Sequence, residues 1–154
     1  MVLGTGGKAM GVGGAFFCCS KTIRDYLINK SRGFIYSTAP VPSIPAGLIA
    51  AVDIIYSEPD RRKRLKDLSK YFHERIKFLG LQTSDTGSHI IPVIIGDNET
   101  TLNLASLLFQ HGIFVKAIRK PTVPAGTERL RFSLTSEHSK ADIDKVIEIL
   151  KRYL

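Results

Sequence analysis

The stretch Gly4-Thr-Gly-Gly-Lys-Ala-Met-Gly-Val-Gly-Gly14 sets a single lysine, Lys8, among six glycines. Three chemistries place a lysine in such a loop: a phosphate cradle, a dinucleotide-binding turn, and covalent work with a cofactor. An ordinary surface lysine is the background against which they are weighed. The phosphate loop G-x-x-x-x-G-K-[ST] needs a hydroxyl after its lysine to hold a magnesium ion. Ala9 stands at that position, and the leading glycine is absent as well. Gly4, Gly6 and Ala9 satisfy the looser dinucleotide pattern, which works only where a strand precedes it and a helix starts within it. Only Met1 to Leu3 precede it here, and the acid about twenty residues on, Asp25, falls inside a helical segment. Covalent chemistry is the reading that uses the glycines. Small neighbours let a cofactor ring approach the amine, and the hydroxyl of Thr5 can reach a phosphate on the same ligand.

Outward from this loop, the chain alternates helical and strand-like patterns. Ala15 to Cys19 is a short apolar run that reads as a buried strand. Ser20 is placed to cap a helix over Lys21 to Lys30, and Phe34 to Tyr36 is a second short apolar run. Ser37 to Pro45 carries three prolines, which predicts an extended connection and a nearby domain junction. Ala46 to Tyr56 reads as a buried helix. A longer amphipathic helix follows from about Asp60 to Leu79, with Leu65, Leu68, Phe72, Ile76 and Leu79 on one stripe. Ile90 to Ile95 reads as a strand near a sheet edge because Pro92 donates no hydrogen bond. Glu99 to Gln110 is a capped helix, Ile113 to Ile118 and Arg129 to Leu134 are strands, and Lys140 to Tyr153 is the closing helix. The order from residue 46 argues a small α/β domain with helices packed on a short sheet. Residues 1–45 hold too few elements to close a core of their own.

Bulk composition narrows the class. At 154 residues and 44% hydrophobic, the chain can bury a substantial core. No apolar run reaches the roughly 20 residues of a membrane span, and the first residues lack the pattern of a secretory signal, so the expected compartment is the cytoplasm. Adjacent Cys18 and Cys19 lack metal or redox spacing and read as reduced, packing thiols. No metal site is expected. The net charge of +8 points to an anionic partner without choosing one. Its densest cluster, Arg61 to Arg64 with Lys66, opens the long helix and fits a solvated face. A basic interaction module is the alternative from another class, but aromatic interleaving and nucleic-acid motifs are missing, so neither nucleic acid nor membrane is the expected partner.

Six motifs in colinear order carry a resemblance that covers essentially all 154 residues. They are Thr5-Gly-Gly-Lys-Ala-Met-Gly11 with Gly13-Gly14, Asp25-Tyr-Leu27, Phe34-Ile-Tyr-Ser-Thr38, Ile91-Pro-Val-Ile-Ile-Gly-Asp-Asn98, Ala117-Ile-Arg-Lys-Pro-Thr-Val-Pro-Ala-Gly126, and Arg129-Leu-Arg131. The chain resembles the α-oxoamine synthases, which are fold-type I enzymes dependent on pyridoxal 5'-phosphate (PLP). The aminoketobutyrate-CoA ligases of that family usually show an asparagine-serine pair at Ser37-Thr38 and differ around Pro121-Thr122-Val123. They and other α-oxoamine synthases are the alternative within the family. The branch that works in biotin biosynthesis is the closer match.

The resemblance implies roles residue by residue. Lys8 falls on the lysine that binds PLP covalently and then serves as general acid and base. Thr5 falls on the hydroxyl that holds the cofactor phosphate. Ser37 and Thr38 fall where the neighbouring subunit of a homodimer touches that phosphate. Arg131 matches the arginine that grips the amino-acid carboxylate, Thr122 a substrate contact, and Arg119 a nearby anion-binding position. Lys120, beside Arg119, replaces the more usual proline. The histidines His73, His89, His111 and His138 match no catalytic position. The implied reaction joins L-alanine to a pimeloyl thioester, carried on CoA or a carrier protein, with loss of carbon dioxide. In fold terms, residues 1–45 are expected to belong to the end of a large PLP-binding domain and residues 46–154 to be the small C-terminal α/β domain. Family members are more than twice this length, so the chain is expected to be a C-terminal portion. It would then lack the ring-stacking aromatic residue, the acid paired with the pyridine nitrogen and the first phosphate loop, and would be inactive alone.

Overall fold

A computed structural model of the chain describes residues 1–84 and 87–154. They form two compact units, Met1–Pro59 and Asp60–Leu154. In the first, β1 (Val2–Thr5) and β2 (Ala15–Cys18) pair antiparallel as a two-stranded ribbon. The strand ahead of the glycine loop was not expected from so few residues. Helix α1 (Lys21–Lys30) starts where expected, with the Ser20 hydroxyl accepting from the Ile23 amide at 3.4 Å. Phe34 and Ile35 fall in a one-turn helix, α2 (Arg32–Ile35).

Helix α3 (Ser43–Ser57) begins earlier than the prolines suggested, because Pro45 sits in its first turn, where a missing amide donor costs nothing. Two burial expectations fail in this unit. Phe16 and Phe17 of β2 are exposed, and of α3 only Ala51 is buried, with Ile49 65% and Tyr56 82% exposed. A two-stranded ribbon and three helices supply too few layers to cover an apolar strand or a helix that is apolar all round.

The second unit holds the core. Helix α4 (Pro59–Phe78) lays Leu68, Phe72 and Ile76 inward and leaves Arg61 to Arg64 and Lys66 exposed on its outer face. Gly80, with φ of 74°, ends the segment by adopting the left-handed conformation that side chains resist. Strand β3 (Ile90–Ile94) leads to α5 (Asn98–Gln110), whose first free amide turn is capped by the Asp97 carboxylate accepting from Thr100 at 2.7 Å. Strands β4 (Lys116–Ile118) and β5 (Arg129–Ser133) form a second hairpin, and α6 (Lys140–Tyr153) closes the chain behind a capping box between Ser139 and Asp142.

The sheet order is β3-β5-β4, with β5 antiparallel to both neighbours. Strands β3 and β4 therefore run parallel, linked through α5, with β5 inserted between them. Pro92 is tolerated because β3 is an outer strand of this order. Leu130 and Phe132 of β5, Ile91 and Val93 of β3, and Ile143, Val146, Ile147 and Leu150 of α6 share one core with α4 and α5. Phe72 meets Phe132 edge to face at 5.0 Å. One face of the sheet is thus packed, and the alternate residues stand on the other.

Candidate functional site

The glycine-lysine loop is the turn of the first hairpin. Gly6 donates to the Gly14 carbonyl at 2.9 Å and accepts from Val12 at 3.1 Å, and Gly11 donates to the Lys8 carbonyl at 3.0 Å. Lys8 therefore sits at the tip of a turn whose base is pinned by the β1–β2 ladder. Gly4 permits the ring of Phe16, directly opposite it, to lie over the backbone. Gly6 is buried, and a side-chain carbon there would stand 2.5 Å from the Val12 carbonyl oxygen and 2.6 Å from Leu48 Cδ2. Gly47 lets the first turns of α3 approach Val12, where an added side-chain carbon would stand 3.1 Å from Val12 Cγ1. The base of the loop is thus close-packed against α3, which fixes where Lys8 projects.

Around the lysine the packing is reversed. Side-chain carbons added at Gly7, Gly11 or Gly13 would meet nothing within 4 Å. The Lys8 side chain is exposed and has no partner among the described residues. Thr5, the last residue of β1, is exposed at the foot of the same loop. A primary amine in an open glycine loop and the Thr5 hydroxyl at the foot of that loop can serve the carbonyl and the phosphate of a cofactor such as PLP, and the residues present fit it. Ser37 and Thr38 follow α2 and are also exposed.

The remaining candidates belong to the second unit and to one hairpin. Arg119 and Thr122 lie in the connection between β4 and β5, where the Thr122 amide donates to the Arg119 carbonyl at 2.9 Å. That turn holds them together, and Thr127 closes its far side through amide and hydroxyl bonds to the Pro124 carbonyl. Arg131 lies in the middle of β5 on the face away from the core, exposed and without a partner among the described residues. Lys116, a residue the motifs pass over, is directly opposite Arg131 across the β4–β5 pair. Only the strand register reveals it.

Comparison with known proteins places this arrangement. The model of the aminotransferase class I and II family matches residues 1–150. The chain belongs to the aminotransferase class I and II family. Among its members, the chain is 42% identical over 152 residues to 8-amino-7-oxononanoate synthase of Citrobacter koseri, covering 97% of this chain and 40% of that protein. It is 39% identical over 152 residues to the enzyme of the same name from Trichlorobacter lovleyi, covering 97% of this chain and 39% of that one.

Solved structures agree. The 8-amino-7-oxononanoate synthase of Francisella tularensis superposes with a TM-score of 0.83 at 30% identity, over 97% of this chain and 44% of that chain. Serine palmitoyltransferase of Sphingomonas wittichii superposes with a TM-score of 0.86 at 25% identity, over 98% of this chain and 38% of that chain. A structure of SPT with PLP internal aldimine gives 0.85. The α/β fold expected from the motifs is that of these fold-type I transferases, and the chain spans about 40% of the length of the curated relatives it matches. No helix among the described residues is long and apolar enough to cross a membrane.

Proposed function

We propose that the chain carries the lysine-bearing part of an 8-amino-7-oxononanoate synthase, a PLP-dependent acyltransferase of biotin biosynthesis. The observation that carries the reading is Lys8 projecting from a close-packed hairpin base into an open glycine cradle, in a chain about 40% identical over 97% of its own length to enzymes of that name. The reaction joins the α-carbon of L-alanine to the acyl carbon of a pimeloyl thioester. A carbon–carbon bond forms, carbon dioxide and the free thiol leave, and 8-amino-7-oxononanoate results.

Each residue then has a task. Lys8 would anchor PLP, and the cofactor when bound supplies an electron sink for the charge that develops on the alanine α-carbon. The Lys8 amine would take the α-proton and later return one to the product. Thr5 would hold the cofactor phosphate through its hydroxyl. Arg131 would orient the alanine carboxylate with its two-pronged guanidinium, and Arg119 and Thr122 would line the substrate side from the β4–β5 turn. Ser37 and Thr38 are assigned to the phosphate of the second subunit in a homodimer. Residues 1–45 are read as part of the large PLP-binding domain, residues 46–154 as the small domain, and the cytoplasm as the compartment.

The test is covalent capture. Purified chain is mixed with PLP, treated with borohydride and mapped by mass spectrometry. Fixation on Lys8 in preference to the other lysines supports the reading, and uniform labelling of surface lysines refutes it. With L-alanine and pimeloyl-CoA added instead of borohydride, these 154 residues alone are expected not to turn over.

A further inference from the structure

The register of the three-stranded sheet brings two cations together that no motif connects. Residues directly opposite in an antiparallel pair share a face, with Cβ atoms roughly 4.5–5.5 Å apart. Lys116 is paired in this way with Arg131, and Ile118 with Arg129. On the other flank of β5, Pro92 is opposite Arg131 and Ile94 opposite Arg129. Leu130 and Phe132 are buried, so Arg129 and Arg131 stand on the face turned away from the core. One row across that face reads Pro92, Arg131, Lys116, and the next reads Ile94, Arg129, Ile118.

No acidic residue occupies this face among the paired strand positions. Arg129 spends its Nε on the Thr127 carbonyl at 2.7 Å. Arg131 and Lys116 are exposed and have no partner among the described residues. Like charges set directly opposite repel and weaken a sheet. The pairing becomes favourable when an anion stands between the two. The apolar neighbours Pro92, Ile94 and Ile118 offer a bed for methylene groups beside the charges.

We infer that Lys116 and Arg131 form one two-cation site for an aliphatic carboxylate on the open face of the sheet, with Lys116 as a substrate-positioning residue in its own right. The site's geometry stands alone, and only the source of its carboxylate rests on the proposed function. That source is either the carboxylate of the amino acid or the terminal carboxylate of a pimeloyl chain.

The experiment needs neither PLP nor turnover, so its failure is separate from failure of the Lys8 capture. The full 154-residue chain, labelled with nitrogen-15, is titrated with pimelate and with L-alanine, at constant ionic strength set by sodium chloride. The same titrations are run on Lys116→Gln, Lys116→Arg and Arg131→Gln. Pimelate or alanine is expected to shift the amides of residues 116–118 and 129–132. Lys116→Gln should weaken that binding by up to about fivefold, the upper end for exposed charge pairs, and Lys116→Arg should restore it. Loss confined to pimelate assigns the site to the acyl chain, and loss for alanine assigns it to the amino acid. Binding that Lys116→Gln leaves unchanged for both ligands, or shifts lying away from β4 and β5, would overturn the inference. The dispersion of the same spectra reports whether each variant is folded.

Discussion

Two neighbouring glycines in the loop make opposite predictions for the same substitution. At Gly6 an added methyl would stand 2.5 Å from the Val12 carbonyl oxygen and 2.6 Å from Leu48 Cδ2, while at Gly7 it would meet nothing within 4 Å. A carbon cannot approach a backbone oxygen so closely, and the oxygen cannot swing aside as a flexible side chain would. The loop must therefore open or α3 must retreat. Overpacking of this kind costs about 1–3 kcal/mol, and the structure says where the cost falls. The Val12 amide donates to the Gly6 carbonyl, and the Gly6 amide to the Gly14 carbonyl, so these are the bonds that break.

Native-state hydrogen exchange reads them directly. In Gly6→Ala the amides of Val12 and of position 6 should exchange about five- to 150-fold faster, the equivalent of that range at about 1.4 kcal/mol per factor of ten, while amides of β3 and β5 keep their rates. Gly7→Ala should leave all of them unchanged. Borohydride fixation of PLP onto Lys8 should fall in the first variant and persist in the second. If Gly6→Ala keeps both its protection and its Lys8 labelling, or if Gly7→Ala is equally damaging, then close packing at the loop base is not what positions the lysine.

Other outcomes follow from the same geometry. Phe72→Ala removes a ring that is 1% exposed and packed edge to face on Phe132, and should destabilise the second unit by about 3–5 kcal/mol in urea unfolding. Lys8→Ala should abolish site-specific PLP fixation without moving the thermal midpoint, because the side chain has no partner among the described residues to lose. The Asp97 carboxyl is held below its ordinary value of 3.8 by the Thr100 amide and then the Thr100 hydroxyl, and Asp142 by the Ser139 amide and then its hydroxyl. Each folded pKa lies below the unfolded one, so the stabilisation is complete above the unfolded value and fades as pH falls through the folded value. Below pH 4 the unfolding midpoints should fall less steeply with pH in Asp97→Ala and Asp142→Ala than in a variant with a distant surface substitution, because each has already lost the carboxylate whose protonation weakens the parent.

The helical half of the second unit was legible because its signals are local. A stripe of Leu68, Phe72 and Ile76, a cap at Asp97, and Ser139 three residues before Asp142 need only neighbours in sequence to act, and the helices lie within two residues of where these signals put them. The sheet was less legible. Ile113 to Ile118 reads as one strand, yet only Lys116–Ile118 pair with β5, since Ile113 and the two residues after it leave the end of α5 before reaching the ladder. Burial in the first unit misled for another reason. Apolar content in α3 signals a surface that favours being covered, and the sequence pattern cannot distinguish a covering supplied within Met1–Pro59 from one supplied beyond it.

The candidate site divides along the same line. Lys8 and Thr5 could be named because a lysine among glycines with a hydroxyl three residues before it is chemically conspicuous in one dimension, and Arg131 could be named only through the family resemblance its motif carries. Lys116 could not, because its significance is a pairing fifteen residues away that depends on β5 being inserted between two parallel strands. A one-residue slip of β4 would carry Lys116 to the packed face, where an unpaired ammonium is untenable. The alternation that buries Val115 therefore requires Lys116 to emerge on the face of Arg131. The hydrophobic alternation of a short strand, in which Lys116 itself belongs to no motif, is what puts a second positive charge on the face that Arg131 occupies.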